Sequence, residues 1–547
     1  MNTKLGELPN NVEQLHELVR RILREHDEEL AQLKAELEKE RGERIEHQNK
    51  AIQHFEELQL LRRKLFGRSA EKLSGEEQKQ LLLFNEAEDI IFAQRQKPAA
   101  QERVEVKAHT RVKRGRKPLP PELPRLEMVH DISEEEKKCA CGGELSRISA
   151  ESLEKLEVIP PQIRVRRHLR PKYACRTCEG SGDEDHPAVR IAPAVRQLLP
   201  KSIASPALVA YILTAKFCDA LPFYRQEKQF QRIGVDISRQ DMANWSIAVF
   251  QRLAPFIELL RGEIRGGPRV GLDETTLQVM GEPDRPNTSK SYMWVFLGGT
   301  PGKPVVEFQY HPTRSGKVPL EALRGYKGFI QTDGYDGYNE LGSQPGITRV
   351  GCWAHVRRKW FEAKEASKQA GSADEALARI DALFRIERTL RDQELSPQEF
   401  VRQRREQAEL VLEKLKVWLH KRQGQVPPSL LLGKAISYTI EQWPKLIRYL
   451  DSPDLGPSNN AVEQAIRPFV VGRKNWLTSG SPAGAEASAG WYSIIESAKL
   501  NGVEPYLYLR YILSRLPDGR NPEDYRDLLP WNVPRESLLD FDSGHLF

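Results

Sequence analysis

The stretch Val270-Gly-Leu-Asp-Glu-Thr-Thr-Leu-Gln-Val279 decides how the rest of the chain is read. It is apolar and β-branched at both ends, the composition of a buried strand, yet Asp273 stands at its centre. A buried carboxylate is costly unless it is paired, hydrogen-bonded or bound to metal. A second candidate, Asp333, closes another apolar run, Gly328-Phe-Ile-Gln-Thr-Asp333, and a third, Glu463, follows Ser458-Asn459-Asn460 at the start of a helical pattern. Two acids on strand ends and one on a helix are the oxygen-ligand set expected of a two-metal site acting on phosphodiesters. Glu274 points to the opposite face of the strand from Asp273 and reads as a surface or supporting group. Asp336 reads as a helix cap or supporting group.

Outward from that stretch, Arg269–Val279, Tyr292–Leu297 and Val305–Tyr310 read as three strands. A short helix follows at Val318–Leu323, then a strand at Phe329–Thr332, a helical turn, and a strand at Thr348–Cys352 leading into a helix, Ala354–Lys368. This is a ribonuclease-H-like order, and the fold class expected is multidomain α/β. The catalytic core is assigned to residues 266–370 and 456–480, and sites in open sheets of this kind lie at strand ends. Residues 371–455 read as a helical insertion carrying Ala376–Glu394, Pro397–Arg422 and Leu430–Leu450. Asn459 or Asn460 is expected to cap the helix that bears Glu463, and Pro468 to disrupt or end its first stretch. Arg467, Arg473, Lys474 and Trp476 form a basic and aromatic group suited to a DNA strand beside the acids. Cys352 and His355 are spaced like half of a metal site, with no second half evident, and read as packing or support. Residues 481–547 read as C-terminal helices, with an irregular tail beyond Pro517.

On the N-terminal side, residues 1–73 repeat apolar positions at three- and four-residue steps: Leu8, Val12, Leu15, Val19 and Ile22, then Leu30, Leu33 and Leu37, then Ile45 to Leu65. The other faces are charged, so a long coiled-coil helix is expected, and with it a homo-oligomer. Residues 74–125 form a basic linker in which Arg103 to Lys117 holds seven Lys or Arg against one Glu. Its Arg114-Gly-Arg116 is AT-hook-like: glycine permits close approach to a minor groove, where arginines seek the negative potential. A solvated basic linker is the plainer alternative. Residues 126–192 carry Cys139, Cys141, Cys175 and Cys178, four thiolates suited to tetrahedral zinc. Between the pairs, Arg164, Arg166 and Arg167 lie in an alternating apolar and basic run that would give a zinc-pinned hairpin a phosphate-facing side. Residues 193–265 turn helical and helix-turn-helix-like, with Arg239, Gln240 and Asn244 placed to reach base edges. A three-helix support is the other reading of that region.

The length of 547 residues suits two to four domains, and 29% of residues are charged, with a net charge of +6 that is unevenly spread. No apolar run of membrane-spanning length appears, and no apolar stretch opens the chain, so a cytoplasmic protein without a membrane partner is expected. The six cysteines, in a reducing compartment, read as metal ligands before disulfides.

Together the motifs are specific. They are LRRKLFGRSAEKL (61–73), RGRKPLP (114–120), the CACGG and YACRTC cysteine pairs, LPFYRQE (221–227), GLDETTLQV (271–279), QTDGYDGY (331–338), CWAHVRRKWFE (352–362), NNAVEQAIRPFVVGRKNWL (459–477) and SAKLNGVEPYLYL (497–509). The chain resembles bacterial DDE transposases of the insertion-sequence sixty-six family over nearly its whole length. The resemblance implies that Asp273, Asp333 and Glu463 are the catalytic acids, holding two Mg²⁺ (or Mn²⁺) ions for strand cleavage and strand transfer. It implies that the N-terminal third binds the element's ends, and that two small companion proteins come from the same element. The sequence departs from the family pattern at Cys139, one residue late for a Cys-x-x-Cys pair, and at Gln464, where a basic residue is common. The rival readings are a non-catalytic zinc-bearing DNA-binding regulator, which would leave the acids without a role, and a coiled-coil assembly factor.

Overall fold

The computed structural model describes residues 11–66, 163–174, 189–194, 197–366, 371–516 and 521–539. The four candidate zinc cysteines and the Arg114 and Arg116 motif lie outside the described residues. The chain divides into two units, one of Met1–Arg95 with Gln197–Phe547 and one of Gln96–Arg196.

In the smaller unit, β1 (Lys172–Tyr173) pairs antiparallel with β2 (Arg190–Ile191). Residues 163–171 of the alternating basic run are not part of this ladder, whose second strand lies beyond the cysteine pairs. Arg164, Arg166 and Arg167 are exposed there, alongside exposed Val165 and Leu169. Arg170 Nε donates to the Ala192 carbonyl at 2.8 Å, tying the two segments together.

The larger unit opens with α1 (Val12–Phe66), a helix of 55 residues. At 1.5 Å per residue it runs about 80 Å. Its apolar positions, among them Leu30, Leu33 and Leu37, are exposed. Four helices follow: α2 (Pro206–Phe217), α3 (Phe223–Arg232), α4 (Arg239–Arg252) and α5 (Ala254–Gly266). Ser205 caps α2 by accepting the Leu208 N–H, and Ser238 caps α4 by accepting the Asp241 N–H. Between α3 and α4 the chain turns through Gly234 at φ +79°, a left-handed position that glycine adopts without penalty. Ile212, Phe230, Ile237 and Met242 form a small core of their own beneath that turn.

A five-stranded sheet then forms from β3 (Arg269–Gln278), β4 (Lys290–Gly298), β5 (Val305–His311), β6 (Gly328–Gln331) and β7 (Ile347–Val350), in the order β5-β4-β3-β6-β7. The first three are antiparallel, and β6 and β7 add parallel beside β3. Short α6 (Lys317–Ala322) precedes β6, and α7 (Asn339–Gly342) precedes β7. The element order read from the sequence is the one observed.

After β7 come α8 (Trp353–Ala366), α9 (Ser372–Arg391), α10 (Pro397–Gln423) and α11 (Leu431–Leu446). They close around a second core that includes Trp353, Trp360, Ile380, Leu415 and Trp443. Two arginines, one buried and one exposed, hold the return from this helical insert. Arg404, 1% exposed, donates to the carbonyls of Tyr449, Ser452 and Leu455 and pairs with Glu387. Arg391 donates to those of Pro453 and Leu455.

The chain comes back as α12 (Asn460–Trp476), α13 (Pro482–Leu500) and α14 (Pro505–Ser514), with a final short helix α15 (Arg535–Leu539). Pro468 does not end α12: the helix runs through it. On β5, Glu307 pairs with Arg261 of α5, while its neighbour Phe308 stacks on Phe469 of α12 at 6.3 Å. Successive strand residues face opposite ways, so α5 and α12 lie on opposite faces of the sheet. The edge of β5 is covered by α13: Ser493 Oγ accepts the Phe308 N–H at 2.8 Å and Ser497 Oγ the Val306 N–H at 3.1 Å. Those serines remove the unpaired edge that would otherwise invite another strand. The tail is more ordered than its sequence suggests. Tyr525 and Leu529 are buried, and the Tyr525 hydroxyl donates to the Arg252 carbonyl at 2.8 Å.

Candidate active site

Asp273 and Asp333 are brought together by strand register. Gly271 pairs with Gln331 across the parallel β3–β6 ladder. Each aspartate stands two residues further on, so Asp273, mid-way along β3, lies level with Asp333, just past the end of the neighbouring β6. Glu463 arrives from a distant part of the chain because its approach loop is fastened to those strand ends. Gln331 Nε2 donates to the Gly456 carbonyl at 2.8 Å, and the Trp353 N–H to that of Pro457 at 2.8 Å. Asn459 heads α12, but its side chain does not cap the helix. Instead its Nδ2 donates to the Leu272 carbonyl at 2.8 Å, one residue before Asp273. Gly271 makes this approach possible: a Cβ there would lie 2.4 Å from Val462 Cγ2 and 2.7 Å from Asn459 Oδ1.

The loop after β6 is equally fixed. Tyr335 N–H donates to Asp333 Oδ1 at 2.9 Å. Arg349 on β7 reaches under the loop, donating to Thr332 Oγ1 at 3.0 Å, the Asp333 carbonyl at 2.8 Å, the Tyr335 carbonyl at 3.0 Å and Asn339 Oδ1 at 2.6 Å. Tyr438 of α11 lies against Gly334, where a Cβ would stand 2.5 Å from its hydroxyl oxygen. The insertion therefore supplies a wall of the site.

Asp273 feels the charge of both other acids, although among the described residues the three do not form a group whose ligand atoms all gather within 4.8 Å of one another. Burial first, and then the negative charges of Glu274, Glu463 and Asp333, push the Asp273 carboxyl well above the usual carboxylate range. The Glu274 N–H, donating to Asp273 Oδ1 at 2.8 Å, pulls the other way. Glu274 is not a surface group: it is 9% exposed. It pairs with Arg314 and accepts from the Tyr338 hydroxyl. Burial raises its pKa, and those two partners oppose the rise. Asp336 is exposed and accepts from Asn339 Nδ2 at 3.3 Å.

Among the described residues, one trio of possible ligands has its donor atoms all within 4.8 Å of one another: Cys352, His355 and Glu463. The partner that the Cys352 and His355 spacing lacked in the sequence is thus Glu463. His355 Nδ1 stands 3.7 Å from Glu463 Oε1. Burial, then the Arg358 charge, press the His355 pKa down to about 4. Burial and the Glu463 charge push the Cys352 thiol up to about 12.

The expected DNA-facing residues divide. Arg239, Gln240 and Asn244 share an exposed face of α4. Arg467 and Lys474 are half-buried on α12. Arg473 turns inward instead: it is 6% exposed and donates to Thr276 Oγ1 at 3.0 Å and to the Thr276 carbonyl, pinning α12 to β3. Trp476 packs edge-on against Phe469, ring centroids 5.6 Å apart. Arg349 and Tyr438 were not singled out in the sequence, and Asn459 was expected only as a helix cap. Only Arg349 carried a signal, as a lone cation inside the apolar run Thr348–Cys352.

Residues 201–487 match the model described as the transposase IS66 family. The chain belongs to that family. Residues 493–531 match the IS66 C-terminal element, 136–179 the zinc-finger binding domain of transposase IS66, and 55–128 the domain described as transposase C of IS166 homeodomain. Three proteins of Sinorhizobium fredii are similar along much of their length. Uncharacterized protein y4qI is 29% identical, with 98% of this chain and 99% of the relative covered. Uncharacterized protein y4jD is 32% identical over 76% of this chain and 81% of the relative, and uncharacterized protein y4hP 30% identical over 88% of each. This member of the family is a DNA transposase. It binds the ends of an insertion sequence and carries out metal-dependent strand cleavage and strand transfer. The zinc-finger and DDE matches imply use of zinc and of magnesium or manganese. Among the described residues, no helix is long and apolar enough to cross a membrane.

Proposed function

We propose that Asp273, Asp333 and Glu463 carry the cleavage and transfer chemistry of this transposase, on a ribonuclease-H-like core made by the five-stranded sheet. Three antiparallel strands followed by two parallel ones, with Asp273 mid-way along β3 level with Asp333 just past β6, support that reading. The observation that carries it is the state of Asp273, whose carboxyl is raised by burial and by the charges of both other acids. Buried like charges converging on one carboxylate fit a cation-binding site. Bound there, Mg²⁺ or Mn²⁺ would supply the positive charge that activates water or a 3′ hydroxyl and stabilises the leaving oxygen of an in-line displacement. The protein's own part is to hold the carboxylates. Arg349 fixes the Asp333 loop, Asn459 seats α12 beside Leu272, and Tyr438 narrows access at Gly334.

DNA contacts are proposed at Arg239 on α4, at Arg467 and Lys474 on α12, and at Arg164, Arg166, Arg167, Arg114 and Arg116 in the N-terminal third. Zinc is proposed at Cys139, Cys141, Cys175 and Cys178, within the matched zinc-finger segment. Arg473 and Trp476 are proposed to act by positioning α12. The exposed apolar positions of α1 favour a homo-oligomer. Two small companion proteins of the same element, and the domain limits read from the sequence, complete the proposal.

Asp333→Asn tests it. The variant is expected to lose magnesium-dependent nicking of end-containing DNA while retaining end binding in a gel-shift assay. Cleavage at the wild-type rate would sink the assignment.

A further inference from the structure

Cys352 sits between β7 and α8, at the head of a helix whose first N–H groups find their partners outside the helix's own ladder. Three backbone N–H groups point at its sulfur: that of Asn459 at 3.3 Å, and those of His355 and Ala354. The sulfur is thus held in one position, by three donors that partly oppose the burial and the Glu463 charge which otherwise disfavour a thiolate. One helical turn on, His355 Nδ1 is buried and makes no hydrogen bond among the described residues. It faces Glu463 Oε1 at 3.7 Å. Donors bound to one tetrahedral zinc stand roughly 3.4 Å apart, so this pair needs only a few tenths of an ångström of closure.

Sulfur, imidazole and carboxylate together make a poor set for magnesium, which takes oxygen ligands and retains water. They suit a borderline-soft ion, with three protein ligands and one position left for water. We propose that Cys352, His355 and Glu463 form a binding site for a zinc-type divalent ion, and that this ion withdraws Glu463 from the magnesium group. On binding, the Cys352 thiol releases its proton to water and the sulfur takes the metal. The site is separate from the four-cysteine finger, and its occupancy is independent of whether Glu463 serves catalysis. Only the competition with magnesium rests on the reading of the three acids given above.

The test uses the full chain, equilibrated with low-micromolar zinc and then freed of unbound metal. Wild type is expected to retain one more zinc per chain than Cys352→Ser or His355→Gln. Replacing zinc by cobalt should give a thiolate-to-cobalt absorption in wild type that weakens in Cys352→Ser. Zinc titrated into the magnesium-dependent nicking reaction should slow wild type about tenfold at a concentration that slows Cys352→Ser less than about twofold, each relative to its own zinc-free rate. If the variants fold poorly, Cys175→Ser/Cys178→Ser, which disables the finger, should still hold one zinc per chain. Equal zinc in wild type and both variants, or no zinc in the finger-disabled chain, overturns the site. Extra zinc without selective inhibition keeps the site and overturns the competition. Loss of the three-acid reading would show separately, as cleavage by Asp333→Asn.

Discussion

Lys216 on α2 holds its ammonium 3.9 Å from the Phe223 ring centre and 5.9 Å from that of Trp476. Burial lowers its pKa to about 8. In the unfolded chain a lysine titrates near 10.4. Between those values the unfolded chain keeps the proton and the folded chain gives it up, so this residue's contribution to stability rises with pH across that window. Below pH 8 both states are charged and the full burial cost stands, up to about 3 kcal/mol, reduced by about 1–2 kcal/mol of cation–π attraction. Lys216→Met is expected to melt at a higher temperature than wild type at pH 7, with the gap narrowing by pH 10. A gap that widens with pH would contradict the assignment. At this scale the place of Asp273 inside β3 was legible, because a carboxylate inside an apolar strand is conspicuous without any partner in view. Arg473 was not: its basic, aromatic surroundings in the sequence read as a DNA face. Its inward turn appears only once Thr276 of β3 lies beside α12.

Between elements, the decisive contact is α12 on β3. Gly271→Ala would press a methyl into Val462 Cγ2 and Asn459 Oδ1. Overpacking of this kind costs about 1–3 kcal/mol, and here it would also displace the helix bearing Glu463. The expected result is a lower denaturation midpoint together with slower cleavage. Adding Val462→Ala should recover part of the stability, so the pair of substitutions should be non-additive in urea titrations. The same contact explains why Pro468 does not break α12. An interior proline costs about 3 kcal/mol. Val462, Ile466, Phe469 and Val470 are buried, and each contributes about 1.5–3 kcal/mol, which outweighs it. Local propensity pointed to a break; tertiary burial decided otherwise. Helix starts marked by Ser205-Pro206 and Ser238 were readable because a cap and its helix are neighbours in sequence. The Asn459 contact with Leu272 was not, since its partner lies 187 residues away.

Across the whole molecule, α1 leaves Leu30, Leu33 and Leu37 exposed along one long helix. Its tie to the described helical insert includes Glu56 Oε2, which accepts the Leu431 N–H at 3.0 Å. Leu33→Lys with Leu37→Lys is expected to shift sedimentation from an oligomer towards a monomer without lowering the melting temperature of the sheet-bearing core. An unchanged sedimentation coefficient would remove the coiled-coil role proposed for this segment. The succession of strands and the insert's helices were legible from periodicity, whereas the way the insert closes on Gly334 through Tyr438 was not, because nothing in either stretch names the other.

That closure has a consequence for synthesis. Asp273 and Asp333 leave the ribosome well before Glu463, and the segment between them and the last acid must fold so that Arg391 and Arg404 can grip the carbonyls at its exit. A nascent chain, or one truncated within the insert, carries two carboxylates of the three and lacks the helix that delivers the last. On the proposed three-acid reading, cutting power therefore waits until the whole insert and α12 have been made and docked.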